Sequence, residues 1–84
     1  MEFNNIKKTQ EMSKLDLHGK RHEEVSRILE NFLYEHMTKK TREVEIITGN
    51  SQQMKTIVKD IVGEYGMEAT EQWGNNGIMI VKLV

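Results

Sequence analysis

Two stretches of helical periodicity alternate with short β-branched runs, and that alternation leaves the chain few folds to choose from. Between residues 21 and 37 the apolar positions are Val25, Ile28, Leu29, Phe32 and Leu33, a single stripe at helical steps. From residue 51 onward Met54, Ile57, Val58, Ile61, Val62 and Tyr65 repeat the pattern, and Gly66 supplies a C-terminal stop. Glu23 and Glu24 in the first turn of the first stripe, and Lys39 and Lys40 at its end, suit a helix dipole. Strand-like segments lie around these helices at Lys14–His18, Arg42–Thr48, Met67–Trp73 and Ile78–Val84. Gly74-Asn75-Asn76-Gly77 predicts a hairpin turn between the last two, since Gly and Asn accept positive φ. The final run is nearly all apolar, the pattern of a strand buried on much of both faces.

The order β-α-β-α-β-β defines an α/β fold class. Right-handed crossovers place both helices on one face of the sheet. The expected product is a two-layer sandwich with about four strands, mostly parallel but mixed, the final hairpin contributing an antiparallel strand. The 84 residues, 37% of them hydrophobic, hold one domain with one core layer. Residues 1–13 are polar and aperiodic apart from Phe3, Ile6 and Met12, and are expected to form a flexible N-terminal arm ahead of a domain at 14–84.

Composition removes several function classes. There is no Cys, so disulfides and thiolate metal sites are excluded. No apolar run approaches ~20 residues and the N-terminus lacks a signal-like apolar core, so a cytoplasmic monomer without membrane contact is expected. The net charge is −1, which denies the chain a general attraction for polyanions. The charge is uneven, however: residues 1–42 carry +2 and residues 43–84 carry −3. A polyanion would therefore meet a local patch, near Lys20, Arg21 and Arg27 or near Lys55 and Lys59.

The chemistry-bearing residues cluster where two strands end. In Leu15-Asp16-Leu17-His18-Gly19, strand alternation puts Leu15 and Leu17 on one side and Asp16 with His18 on the other. If the first two strands are parallel neighbours, this end lies beside Thr48-Gly49-Asn50-Ser51, where Asn50 or Ser51 caps the second helix. A helix N-terminus presents free N–H groups and positive partial charge, a seat for phosphate. An acid, a base and an anion cradle on one edge could bind a phosphodiester or cleave it by general acid–base chemistry. Each part also has an ordinary structural use, as cap, turn or hydrogen-bonded histidine. His18 and His22 are four apart but have no clustered third ligand, so no zinc site is expected. His36 reads as a surface residue at a helix end. Tyr65 is expected to close the second helix on the core and Trp73 to cover the hairpin, with base stacking as the alternative for both.

These residues resemble the Smr (small MutS-related) domain family over about residues 13–84. The resemblance rests on Leu15-Asp16-Leu17-His18-Gly19, Ile46-Ile47-Thr48-Gly49 and Asn76-Gly77-Ile78, with the helices between them. It implies a two-layer sandwich similar to the C-terminal domain of a bacterial translation initiation factor, and binding of nucleic acid, often with nicking or cleavage. Carried onto this chain, the acid and imidazole of the motif fall on Asp16 and His18 as candidate catalytic groups. The family's usual His-Gly-x-Gly loop falls on Thr48, Gly49, Asn50 and Ser51, so Thr stands where His is commonest and Ser where the second Gly is usual. Gly19, Lys20, Arg21, Thr48, Gly49, Asn50, Ser51 and Lys55 are the expected phosphate or nucleic-acid contacts. The expected function is a DNA or RNA endonuclease; a non-catalytic module binding RNA, DNA or the ribosome is the alternative, and a protein adaptor a third. A divalent metal such as Mg²⁺ is left open, although one carboxylate makes a poor metal site.

Overall fold

A computed structural model describes residues 13–83. The elements follow the expected order: β1 (Ser13–Asp16), α1 (His22–Thr38), β2 (Glu43–Ile47), α2 (Gln52–Glu64), β3 (Glu68–Gln72) and β4 (Asn75–Lys82). The arm expected at residues 1–13 lies outside the described residues except for Ser13, which opens β1.

Among the described residues four strands form one mixed sheet in the order β1-β2-β4-β3. β1 and β2 are parallel neighbours, with Leu15 opposite Ile46, while β4 runs antiparallel to both β2 and β3. Three strands thus share a direction, and the antiparallel strand sits among them. Register puts Val44 opposite Val81 and Ile46 opposite Met79 on one face, with Ala69 opposite Val81. The helices cover that face, where Val25, Leu29 and Leu33 of α1 and Met54, Val58, Ile61 and Val62 of α2 join the strand residues in one core. Among the described residues no helix covers the other face. Ile78 and Ile80 are therefore only half-buried, and β4 is not enclosed on both sides as its apolar run suggested.

Local chemistry explains where the helices stop. Tyr65 caps α2, and Gly66 follows in the left-handed region at φ +76. There the Gly66 N–H bonds to the Gly63 carbonyl and the Met67 N–H to that of Val62. Tyr65 is 42% exposed at this cap and does not close the helix onto the core as expected. α1 ends in the same hydrogen-bond pattern, with Lys40 N–H to the Met37 carbonyl and Thr41 N–H to that of His36. Here Lys40, at φ +62, occupies the position glycine usually takes. His36, expected at the surface, is buried; its Nδ1 lies 3.0 Å from the Thr41 hydroxyl and its ring packs against Phe32. Lys40→Gly is expected to raise stability by up to about 1 kcal/mol, read as a higher urea midpoint at unchanged slope.

Candidate nucleic-acid interface

The edge at the ends of β1 and β2 is assembled from three loops. β1 stops at Asp16, two residues earlier than its sequence pattern suggested, because the Asp16 carboxylate accepts the His18 backbone N–H at 2.9 Å. The Lys20 N–H then bonds to the Leu17 carbonyl at 3.0 Å, closing a β-turn with His18 and Gly19 at its centre. Gly19 takes φ +83, the left-handed geometry such a turn needs at that place. Asp16 and His18 are both exposed, so they meet through this turn and not as neighbours on a strand face.

The second loop follows β2. Leu17 N–H bonds to the Ile47 carbonyl at 2.8 Å and holds the two loops side by side. Gly49 has φ +68, and a Cβ built there would lie 3.2 Å from His18 Cδ2, so the imidazole rests directly against this glycine. The Ser51 side chain accepts the Met54 N–H at 3.0 Å and caps α2 as expected. Asn50 and Ser51 are exposed at the tip. The first turn of α2 contains no acid, whereas Glu23 and Glu24 offset the N-terminal charge of α1.

The third loop belongs to β4. Its pairing with β3 slips from Glu71↔Met79 to Gln72↔Asn75, which leaves residues 76–78 without partners on β3. The irregular stretch brings Gly77 against Gly49, and its carbonyl accepts the N–H groups of Thr48 (2.9 Å) and Gly49 (3.1 Å). The hairpin turn is consequently Trp73-Gly74, with φ +84 at Gly74, and Asn75-Asn76-Gly77 belong to the strand. Trp73 covers nothing; it is 97% exposed.

The remaining candidate residues divide into outward and inward groups. Lys20 and Arg21 are exposed beside the His18 turn, and Arg21 makes only a loose surface pair with Glu23 at 3.7 Å. Thr48 is buried, and its hydroxyl donates to the Gly49 carbonyl at 2.9 Å, so it braces the loop from inside. Lys55 is 4% exposed, with its Nζ 3.2 Å from a Glu71 carboxylate oxygen. The lysine expected to meet phosphate thus ties α2 to β3. Gly77 and the Lys55–Glu71 pair escaped sequence reasoning, although a glycine leading an apolar run marks a close backbone approach. A cleft of about 390 Å³ lined by Met37, Lys40, Thr41, Arg42 and Leu83 lies at the opposite end of the sheet.

The Gly49 contact can be measured. Gly49→Ala and Gly19→Ala should each lose about 1–2 kcal/mol from left-handed backbone strain. Only Gly49→Ala should also displace the imidazole, because a Cβ at Gly19 meets nothing within 4 Å. Urea unfolding reads the first effect, and the His18 ring resonances in an NMR spectrum read the second.

A two-layer α/β sandwich whose parallel β-α-β unit brings a His-Gly turn against a Thr-Gly loop is the class of domain defined by this fold and edge. The Smr domain family model matches residues 15–84, and the chain belongs to that family. Membership makes it, at the level of the family, a nucleic-acid-binding module. No curated protein and no solved structure matches the chain. No helix among the described residues is long and apolar enough to cross a membrane. Among the described residues no three His, Cys, Asp or Glu side chains are grouped so as to hold a metal ion.

Proposed function

We propose that the edge built from Asp16, His18, Gly19 and the Thr48–Ser51 loop binds a phosphodiester of DNA or RNA and hydrolyses it. The observation that carries this reading is the seating of the His18 imidazole on Gly49, beside a helix N-terminus without acidic residues. A phosphate drawn to the free N–H groups at the start of α2 lies within reach of a proton-transfer group. Lys20 and Arg21 approach the strand as exposed cations, and Asn50 and Ser51 offer side-chain donors at the tip. Water attacks phosphorus, the ester P–O bond breaks, His18 takes the proton of the attacking water, and the leaving oxygen takes a proton from solvent water. Asp16 holds the turn that presents the ring, and its charge orients the water.

The second reading, a non-catalytic module for RNA, DNA or the ribosome, is favoured by Thr48. Its hydroxyl does not titrate near neutral pH and is turned into the loop. Incubation of the full chain with supercoiled DNA and with structured RNA, in Mg²⁺ and in EDTA, separates the two. Nicking or cleavage lost in Asp16→Asn and His18→Ala supports the nuclease. Binding without cleavage supports the module. Affinity that stays flat from low to physiological salt would contradict phosphate contact in either reading.

A further inference from the structure

Trp73 is the single tryptophan of the chain, and at 97% exposed it contributes nothing to the core. A side chain able to bury about 150–250 Å² is held in water at the tip of a tight turn. Its place in the sheet is specific. β2 and β3 are each antiparallel to β4, so β3 runs with β1 and β2 and ends at the same edge as the His18 turn and the Gly49 loop. Only β4 separates β3 from β2, a lateral offset of two strand spacings, about 10 Å. Gln72 pairs with Asn75 across the turn, which fixes the base of the platform.

The electrostatics of the hairpin suit a polyanion. Residues 72 to 79 carry no charged side chain. The nearest acid along β3, Glu71, is held by Lys55 at 3.2 Å, so its charge is matched locally. With a net charge of −1, the chain gains little affinity from long-range attraction. Stacking supplies affinity that needs no net positive charge and tolerates any base.

We propose that Trp73 is a stacking platform for an unpaired nucleobase, and that the edge takes single-stranded or locally unpaired DNA or RNA in preference to continuous duplex. The proposal rests on the reading that the adjoining edge holds a phosphodiester. In a duplex the faces of the bases are covered by their neighbours, so only an unpaired base offers the indole a surface. A strand whose phosphate lies at the start of α2 can reach across β4 to place a nearby base on Trp73.

The lone tryptophan is its own reporter. Titration of the full chain with a mixed-sequence single-stranded DNA, the same sequence as RNA, and the blunt DNA duplex is expected to quench its fluorescence with the single strands. Measured by anisotropy of labelled strands, Trp73→Ala should weaken single-strand binding roughly 5- to 150-fold. Trp73→Phe should retain most of the affinity, and duplex binding should barely change in either variant. Because Trp73 buries nothing, both variants should unfold at the wild-type urea midpoint. Unchanged single-strand affinity in Trp73→Ala, or equal affinity and quenching with duplex, would overturn the proposal. If Lys20→Ala with Arg21→Ala still weakens binding in that case, the phosphodiester reading stands without the stacking. Failure of the wild-type chain to bind any of the three probes would sink both.

Discussion

Alanine at position 18 is expected to lower phosphodiester cleavage by about 10²- to 10⁴-fold while changing unfolding free energy by no more than about 0.5 kcal/mol. The split follows from where the side chain sits. His18 is exposed at the centre of a β-turn, and the turn is closed by backbone groups and by Asp16, none of which needs an imidazole. Removing the ring therefore uncovers Gly49 and little else. Asp16→Asn is the informative companion, since an amide oxygen can still accept the His18 N–H and keep the turn while the charge is gone. A comparable loss of cleavage in both variants, at unchanged urea midpoints, assigns the chemistry to the pair. Single-turnover cleavage of labelled strands measures the rates, and circular dichroism measures the stabilities. Wild-type rates from His18→Ala would remove the imidazole from the reaction.

The second large effect is expected in the interior. Glu71→Gln should destabilise the domain by about 2–3 kcal/mol, whereas Lys55→Met should cost no more than about 1 kcal/mol. The asymmetry comes from burial: the Lys55 side chain is 5% exposed and that of Glu71 39%. Without the carboxylate, a desolvated ammonium loses its counter-charge. Without the ammonium, the carboxylate turns to water, and the methionine stem keeps the packing of α2 on β3. The glutamate loss is a large share of the roughly 4–12 kcal/mol expected of a domain this size. Urea denaturation of both single variants and the double variant tests it, and equal costs for the two singles would refute the asymmetry.

Periodicity was enough to place the two helices and the parallel β1–β2 pair, because each amphipathic stripe admits one buried face. It was enough, too, to bring Asp16, His18 and the Thr48–Ser51 loop to one edge, since that follows from parallel neighbours ending together. What it could not deliver was the direction in which individual polar groups turn. Thr48 and Lys55 carry donors suited to phosphate, yet Thr48 continues the inward alternation of Val44 and Ile46, and Lys55 finds a carboxylate sixteen residues away in chain order. The Gly74–Gly77 stretch misled for a related reason. Two glycines and two asparagines suit a turn locally, but a two-residue turn at Trp73-Gly74 lets Gly77 give its carbonyl to Thr48 and Gly49. The one local sign of that tertiary contact is a glycine at the head of an apolar run.

β4 comes last of the four strands in chain order and nevertheless lies between β2 and β3. β1, α1 and β2 make contacts that are close in sequence and precede β4. β3, however, has no neighbour to bond with except β4. Gly77 belongs to the same strand, so the loop that seats His18 is unbraced without it. A chain lacking β4 would thus expose an unpaired edge of β2 and leave the Gly49 loop unbraced. Completion of the sheet and bracing of the loop that seats His18 therefore depend on one and the same strand.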